Sequence, residues 1–200
     1  MSGKFKIAVT GGFGSGKSTA CRLLEEKGYP VISADALGKD LLQNNPEVRR
    51  LVIKEFGQDS YKGNEPDKNY LSGIVFDDEN ELKKLNAIIH PRTIKLIENE
   101  MEKALQESDM VFVESALIFE AKREENFDNI LLITAEEELR IKRLQERQNI
   151  SRTEIERRIK NQLTEEEKRK RSDFVIENNG DIADLDKKID FILMVIRSQV

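Results

Sequence analysis

The sequence predicts an α/β protein in which a parallel sheet is flanked by helices. Three observations carry that expectation. A short apolar stretch near the amino terminus runs directly into a glycine-rich turn and then a helix. Apolar runs of strand length recur further on with amphipathic stretches between them. At 200 residues the chain suits one domain with a modest insertion.

Residues 5–10 read as the first strand, with Ile7, Ala8 and Val9 as its buried run. After the glycines at 11, 12, 14 and 16 a helix extends from about residue 17 to 27 and is closed by Gly28. Residues 29–32 form a short second strand, with Pro30 confined to its start or to an unpaired side. A strand-helix-strand unit this compact implies parallel pairing and a right-handed crossover. From residue 37 to 106 the pattern is mostly helical, with no clear strand. Pro46 opens one helix, residues 63–67 form a loop, residues 78–89 form another helix, and Pro91 starts a long amphipathic one. Strand patterns return at 110–113, 129–133 and 174–176, and a final helix carries the apolar stripe Leu185, Ile189, Ile192, Leu193 and Ile196. Ser151-x-x-Glu154 and Thr164-x-x-Glu167 fit capping boxes, so the basic segment around them is expected to hold two helices.

Composition excludes several classes. Hydrophobic residues make up 38 % and charged residues 36 %, with a net charge of −5, which describes a highly charged globular protein. The longest uninterrupted apolar run covers residues 191–196 only, far short of the ~20 residues needed to span a bilayer. One cysteine and one histidine leave no internal disulfide and no soft-metal site. A cytoplasmic, monomeric protein with no membrane and no nucleic-acid partner is the expectation. Residues 140–171 contain twelve Lys/Arg against six Glu. That segment reads either as solvated helices laced by i,i+4 pairs or as a mobile basic flap over an anion.

Chemistry concentrates in Gly11-x-x-x-x-Gly16-Lys17-Ser18, a phosphate-binding loop placed between strand and helix. Glycines let consecutive N–H groups converge on phosphate oxygens, and the following helix points the positive end of its dipole at them. Lys17 is placed to neutralise the β- and γ-phosphates of a nucleoside triphosphate such as ATP, and the Ser18 hydroxyl can ligate Mg²⁺. Asp35 follows the second strand, as a proton acceptor for an attacking hydroxyl, a holder of a metal-bound water or a helix N-cap. Glu114 ends the strand at 110–113, as a group near Mg²⁺, a partner orienting Asp35 or a salt-bridge acid. Arg143 and Arg147 lie one helical turn apart, to stabilise charge in phosphoryl transfer or to stand on a solvated face. His90-Pro91 sits at a helix junction. No guanine-reading Asn-Lys-x-Asp signature is present.

The chain resembles the dephospho-coenzyme A kinase family nearly end to end. Residues 10–19, the Val31-Ile32-Ser33-Ala34-Asp35 stretch, Gly73-Ile74-Val75-Phe76, residues 85–91, residues 114–120, and Arg143, Arg147, Gln162 and Asn178 carry the likeness. The resemblance implies a P-loop kinase fold and transfer of the ATP γ-phosphoryl group to the ribose 3′-hydroxyl of dephospho-coenzyme A. It implies a nucleotide core (1–36, 108–139 and 172–200), a helical acceptor region (37–107) and a basic lid (140–171). Asp35 would be the base. Gly12, Gly14, Ser15, Gly16, Lys17, Ser18 and Thr19, with Mg²⁺, would hold the triphosphate, and Arg143 and Arg147 would lie in the lid. Asn178 would lie near the adenine, with Phe76, His90 and Glu114 toward the acceptor. Ser33 stands where the family has an acid, Lys68 where arginine is common, and Glu114 where Asp is more usual. Another P-loop nucleotide or small-alcohol kinase, and a non-catalytic nucleotide-binding module, are the competing readings.

Overall fold

The computed structural model describes residues 3–75, 78–148 and 150–199, the side chains of Glu79, Arg147 and Gln148 excepted. The chain divides into two compact units, residues 1–32 with 101–200, and residues 33–100.

The first unit is built on a five-stranded sheet. Its strands are β1 (Phe5–Thr10), β2 (Val31–Ser33), β5 (Met110–Glu114), β6 (Asn129–Thr134) and β7 (Phe174–Glu177), in the order β2-β5-β1-β6-β7. β1 pairs in parallel with both β5 and β6, and β6 with β7. The register sets Val9 opposite Glu114 and Leu131, and Thr10 opposite Leu132, so the carboxyl ends of the central strands lie side by side. Alternation along β1 divides its side chains between two faces. Ile7 and Val9 join Phe112, Leu131 and Ile133 under α1 (Lys17–Glu26) and α9 (Ile182–Arg197), while Ala8 packs with Ile118, Phe119 and Ile130. Both faces are covered, which accounts for the nearly continuous apolar runs. Cys21 lies on α1 inside the first cluster. Burial there, with the charges of Glu114 and Glu25 adding to it, pushes its thiol pKa up.

Between β6 and β7 come three helices, α6 (Glu137–Gln148), α7 (Arg152–Lys160) and α8 (Glu165–Lys170). The two-helix expectation for the basic segment is corrected by α6, which begins before it. Thr164 and Glu167 form a complete capping box at α8, and Ser151 accepts from Glu154 N at α7. Ile141, Leu144 and Ile155 form a small core joined by Phe13 and Ile159.

The second unit holds α2 (Ala34–Asn44), α3 (Pro46–Phe56), a hairpin, α4 (Lys68–Val75) and the first part of α5 (Glu79–Glu107). Leu41, Val48, Val52, Phe56, Tyr61 and Leu71 make its core. Asn45 caps α3 by accepting from Glu47 N and Val48 N, with Pro46 at the first helical position. Two expectations fail here. Residues 61–62 and 65–66 pair as antiparallel strands β3 and β4, where no strand was expected. Each is two residues long, too short for any periodicity to show. Pro91 lies inside α5 instead of starting a new helix. A helical proline removes one N–H and crowds the preceding turn. That turn is supported by side chains: Arg92 Nη1 donates to Ile88 O (2.8 Å) and Thr93 Oγ1 to Ile89 O (3.1 Å).

Candidate active site

The turn after β1 owes its shape to two glycines above all. Gly11 has φ 153°, and a Cβ there would collide with the Ile133 carbonyl. Gly16 has φ 99°, and a Cβ would strike the Asn178 amide. Gly16 is also the N-cap of α1, which has no side-chain cap and no acid in its first turn. The first amides of α1 and the positive end of its dipole are therefore left for an external anion. Thr19 stands in that first turn, its N donating to Gly16 O (3.0 Å). Ser15 is fully buried in the loop, and its hydroxyl has no hydrogen-bond partner among the described residues.

Lys17 Nζ donates to Gly11 O (2.9 Å) and Gly12 O (3.2 Å), so its ammonium is folded over the loop. Ser18 Oγ donates to Glu114 Oε1 (3.0 Å), which joins the start of α1 to the end of β5. A hydroxyl and a carboxylate are hard oxygen donors of the kind Mg²⁺ accepts beside phosphates and waters, so the pair fits that ion.

Asn178, directly after β7, is buried. Its N donates to Thr134 O (2.7 Å) and its Nδ2 to Ser15 O (2.9 Å), so its amide nitrogen holds the phosphate loop. Arg143 Nη1 and Nη2 donate to the carbonyls of Asn178 (2.8 Å) and Gly180 (3.2 Å). Arg147 is on α6 one turn further along; its side chain lies outside the described residues.

Two loop neighbours had no role assigned from sequence. Arg140 is 6 % exposed and its Nη1 abuts Gly12, leaving no room there for a Cβ. Gln162 Oε1 accepts from Phe13 N (3.0 Å). Within a run of charges, nothing in local spacing separates Arg140 from its solvated neighbours. A cavity of about 630 Å³ opens beside Gly12, lined among others by Arg140, Gln162, Lys168, Arg169 and Glu177. Lys168 is 2 % exposed and its Nζ lies 3.1 Å from Glu120 Oε1.

The remaining candidates belong to residues 33–100. Asp35 is exposed in the first turn of α2. The alternative in which it caps that helix is corrected, because Ser33 is the N-cap and accepts from Ala36 N (3.3 Å). That leaves the carboxylate of Asp35 uncommitted to capping and gives Ser33 a purpose of its own. His90 is exposed within α5. Phe76 lies outside the described residues.

A profile of the dephospho-CoA kinase family matches residues 5–184. A dephospho-CoA kinase from Salinibacter ruber is 38 % identical over 184 residues, covering 91 % of this chain and 92 % of that one. Among solved structures, a Thermus thermophilus protein superposes with a TM-score of 0.83 at 36 % identity, covering 96 % of this chain and 98 % of its own. A dephospho-CoA kinase from Campylobacter jejuni gives 0.73 at 28 % identity, over 97 % and 98 %.

Proposed function

The chain belongs to the dephospho-CoA kinase family, which phosphorylates dephospho-CoA to CoA in the last step of CoA biosynthesis, and from that premise we propose how its own residues divide the work. ATP is the phosphoryl donor, and its triphosphate lies in the 11–16 loop against the uncapped start of α1. Lys17 leaves the Gly11 and Gly12 carbonyls to take the β- and γ-phosphates. Ser18 and Glu114 would hold Mg²⁺, which would supply positive charge against the triphosphate.

Asp35 accepts the proton of the ribose 3′-hydroxyl as that oxygen bonds to the γ-phosphorus. The bond from phosphorus to the β–γ bridging oxygen breaks, and ADP carries away its electron pair. Arg147, with Arg143 once released from its two carbonyls, supplies positive charge to the equatorial oxygens. Asn178 serves the nucleotide by fixing the loop. Phe76 and His90 belong to the acceptor side, with residues 37–107 shaping that site and residues 140–171 acting as a lid.

Among the described residues no helix is long and apolar enough to cross a membrane; the enzyme of this proposal is monomeric and cytoplasmic. The observation that carries the proposal is the joint placement of Lys17 over the loop and Ser18 on Glu114. The test is ADP formation by the purified protein. Product should appear only when ATP, Mg²⁺ and dephospho-CoA are all present. Turnover of simple nucleoside monophosphates with none of dephospho-CoA would overturn the assignment in favour of another P-loop kinase.

A further inference from the structure

A phosphate loop works only if its peptide planes face the right way before the anion arrives. The Gly12–Phe13 peptide is held from both sides. Its N–H is taken by Gln162 Oε1 at 3.0 Å. Its carbonyl accepts from Lys17 Nζ and from Ser15 N, both at 3.2 Å. In a trans peptide these two groups point in opposite directions, so partners on both sides fix the plane against rotation.

The partner on the N–H side comes from far along the chain. Gln162 is in the short link between α7 and α8, and that link is itself pinned. The next residue, Leu163, donates its N–H to Glu120 Oε1 (3.0 Å), the oxygen that lies 3.1 Å from the buried Lys168 ammonium. Gln162 is thus presented by an anchored turn, not by a free helix end. On the carbonyl side, by contrast, the Lys17 bond is lent out: in the reading above it is given up when the triphosphate binds. From that moment the plane rests on Ser15 N and Gln162.

We propose that Gln162 is a positioning residue for phosphoryl transfer, which locks the Gly12–Phe13 peptide of the phosphate loop while Lys17 is engaged with nucleotide. It withdraws the Phe13 N–H from the anion-binding set, keeping the Gly12 carbonyl turned toward Ser15 N. Loss of the acceptor lets the peptide rotate at the stage when Lys17 has left, and the cost falls on the nucleotide-bound enzyme. The role rests on the proposed binding of ATP at this loop.

The test pairs amide exchange with kinetics on the full-length protein. In Gln162→Ala the Phe13 amide should exchange at least tenfold faster, and kcat/KM for ATP should fall about tenfold. In Gln162→Glu the carboxylate still accepts the same N–H, so Phe13 protection should be retained, while the added charge raises KM for ATP. Unchanged Phe13 exchange and unchanged kcat/KM for ATP in Gln162→Ala would overturn the proposal. So would equal loss of protection in both variants, which would mark Gln162 as packing only. Failure of the wild-type protein to bind MgATP would instead overturn the reading of the loop, and the nucleotide-free exchange measurement separates the two failures.

Discussion

Asn178→Ala is the perturbation whose effect the structure constrains most closely. The backbone bond from Asn178 N to Thr134 O survives the substitution, as does the bond its carbonyl accepts from Arg143. What disappears is the donation from Nδ2 to Ser15 O at 2.9 Å, at a residue only 6 % exposed. A buried carbonyl left without its donor costs ~1–3 kcal/mol. The void beside Gly16, where the amide blocks any Cβ, adds ~1 kcal/mol. The sum, about 2–4 kcal/mol, corresponds to a fall in Tm of roughly 5–15 °C for a chain of this size. Because the freed carbonyl is in the phosphate loop, KM for ATP should rise with it, by about tenfold, equivalent to ~1.4 kcal/mol. Thermal unfolding followed by circular dichroism, together with an ADP-release assay at varied ATP, reads both quantities. Asn178→Asp should be worse than alanine in each, since it faces a carbonyl with a carboxylate. A variant with wild-type Tm but altered preference between ATP and GTP would refute the reasoning, because it would assign the amide to the base and not to the loop.

Three other outcomes follow from the same geometry. Asp35→Asn should lower kcat by roughly 10²–10⁴-fold while MgATP binding, measured by calorimetry, is unchanged; turnover near wild type would remove Asp35 as the base. Glu114→Gln should raise the Mg²⁺ concentration for half-maximal activity by about tenfold or more, and an unshifted Mg²⁺ titration would detach Glu114 from the metal. Asp67 holds the hairpin to α4, with Lys62 Nζ at 2.6 Å and the N–H groups of Tyr70 and Asn69 at 3.1 Å, and these partners hold its carboxyl below the usual aspartate value. Its stabilisation is therefore complete above the ordinary pKa of about 3.9 and lost as pH falls through the lower folded value. Asp67→Asn should flatten that acid limb when hairpin resonances are followed by NMR, and an identical acid titration would count against it.

The parts of this fold that were legible in the sequence are those where one local rule dominates. The Gly-Lys-Ser spacing, the flanking apolar strand and the helix after it agree with one another, so β1, the loop and α1 follow from the residues. Helices opened by Pro46 and by Thr164 were legible because a first-position proline and a capping box are local signals. Pro91 misled because the rule that proline starts helices knows nothing of the Arg92 and Thr93 side chains that support the turn before it. The β3–β4 hairpin is two residues on each side, below the length at which alternation can be read. At the site, Lys17, Ser18 and Glu114 were legible by motif and strand end. The roles of Asn178, Gln162 and Arg140 were not, because each depends on a contact across more than a hundred residues of chain. Arg143 shows the same difficulty: one-turn spacing with Arg147 says nothing of the carbonyls that occupy it.

The chain's single cysteine sits in the core with its thiol held protonated, and this has a practical corollary. Maleimide dyes and nitroxide spin labels find no target on the native surface, so thiols introduced together at two exposed positions, such as Arg22 and Arg158, are the sole labelled points. Distance measurements by fluorescence transfer or pulsed resonance can then follow the basic helices through a turnover cycle without first stripping the wild-type background.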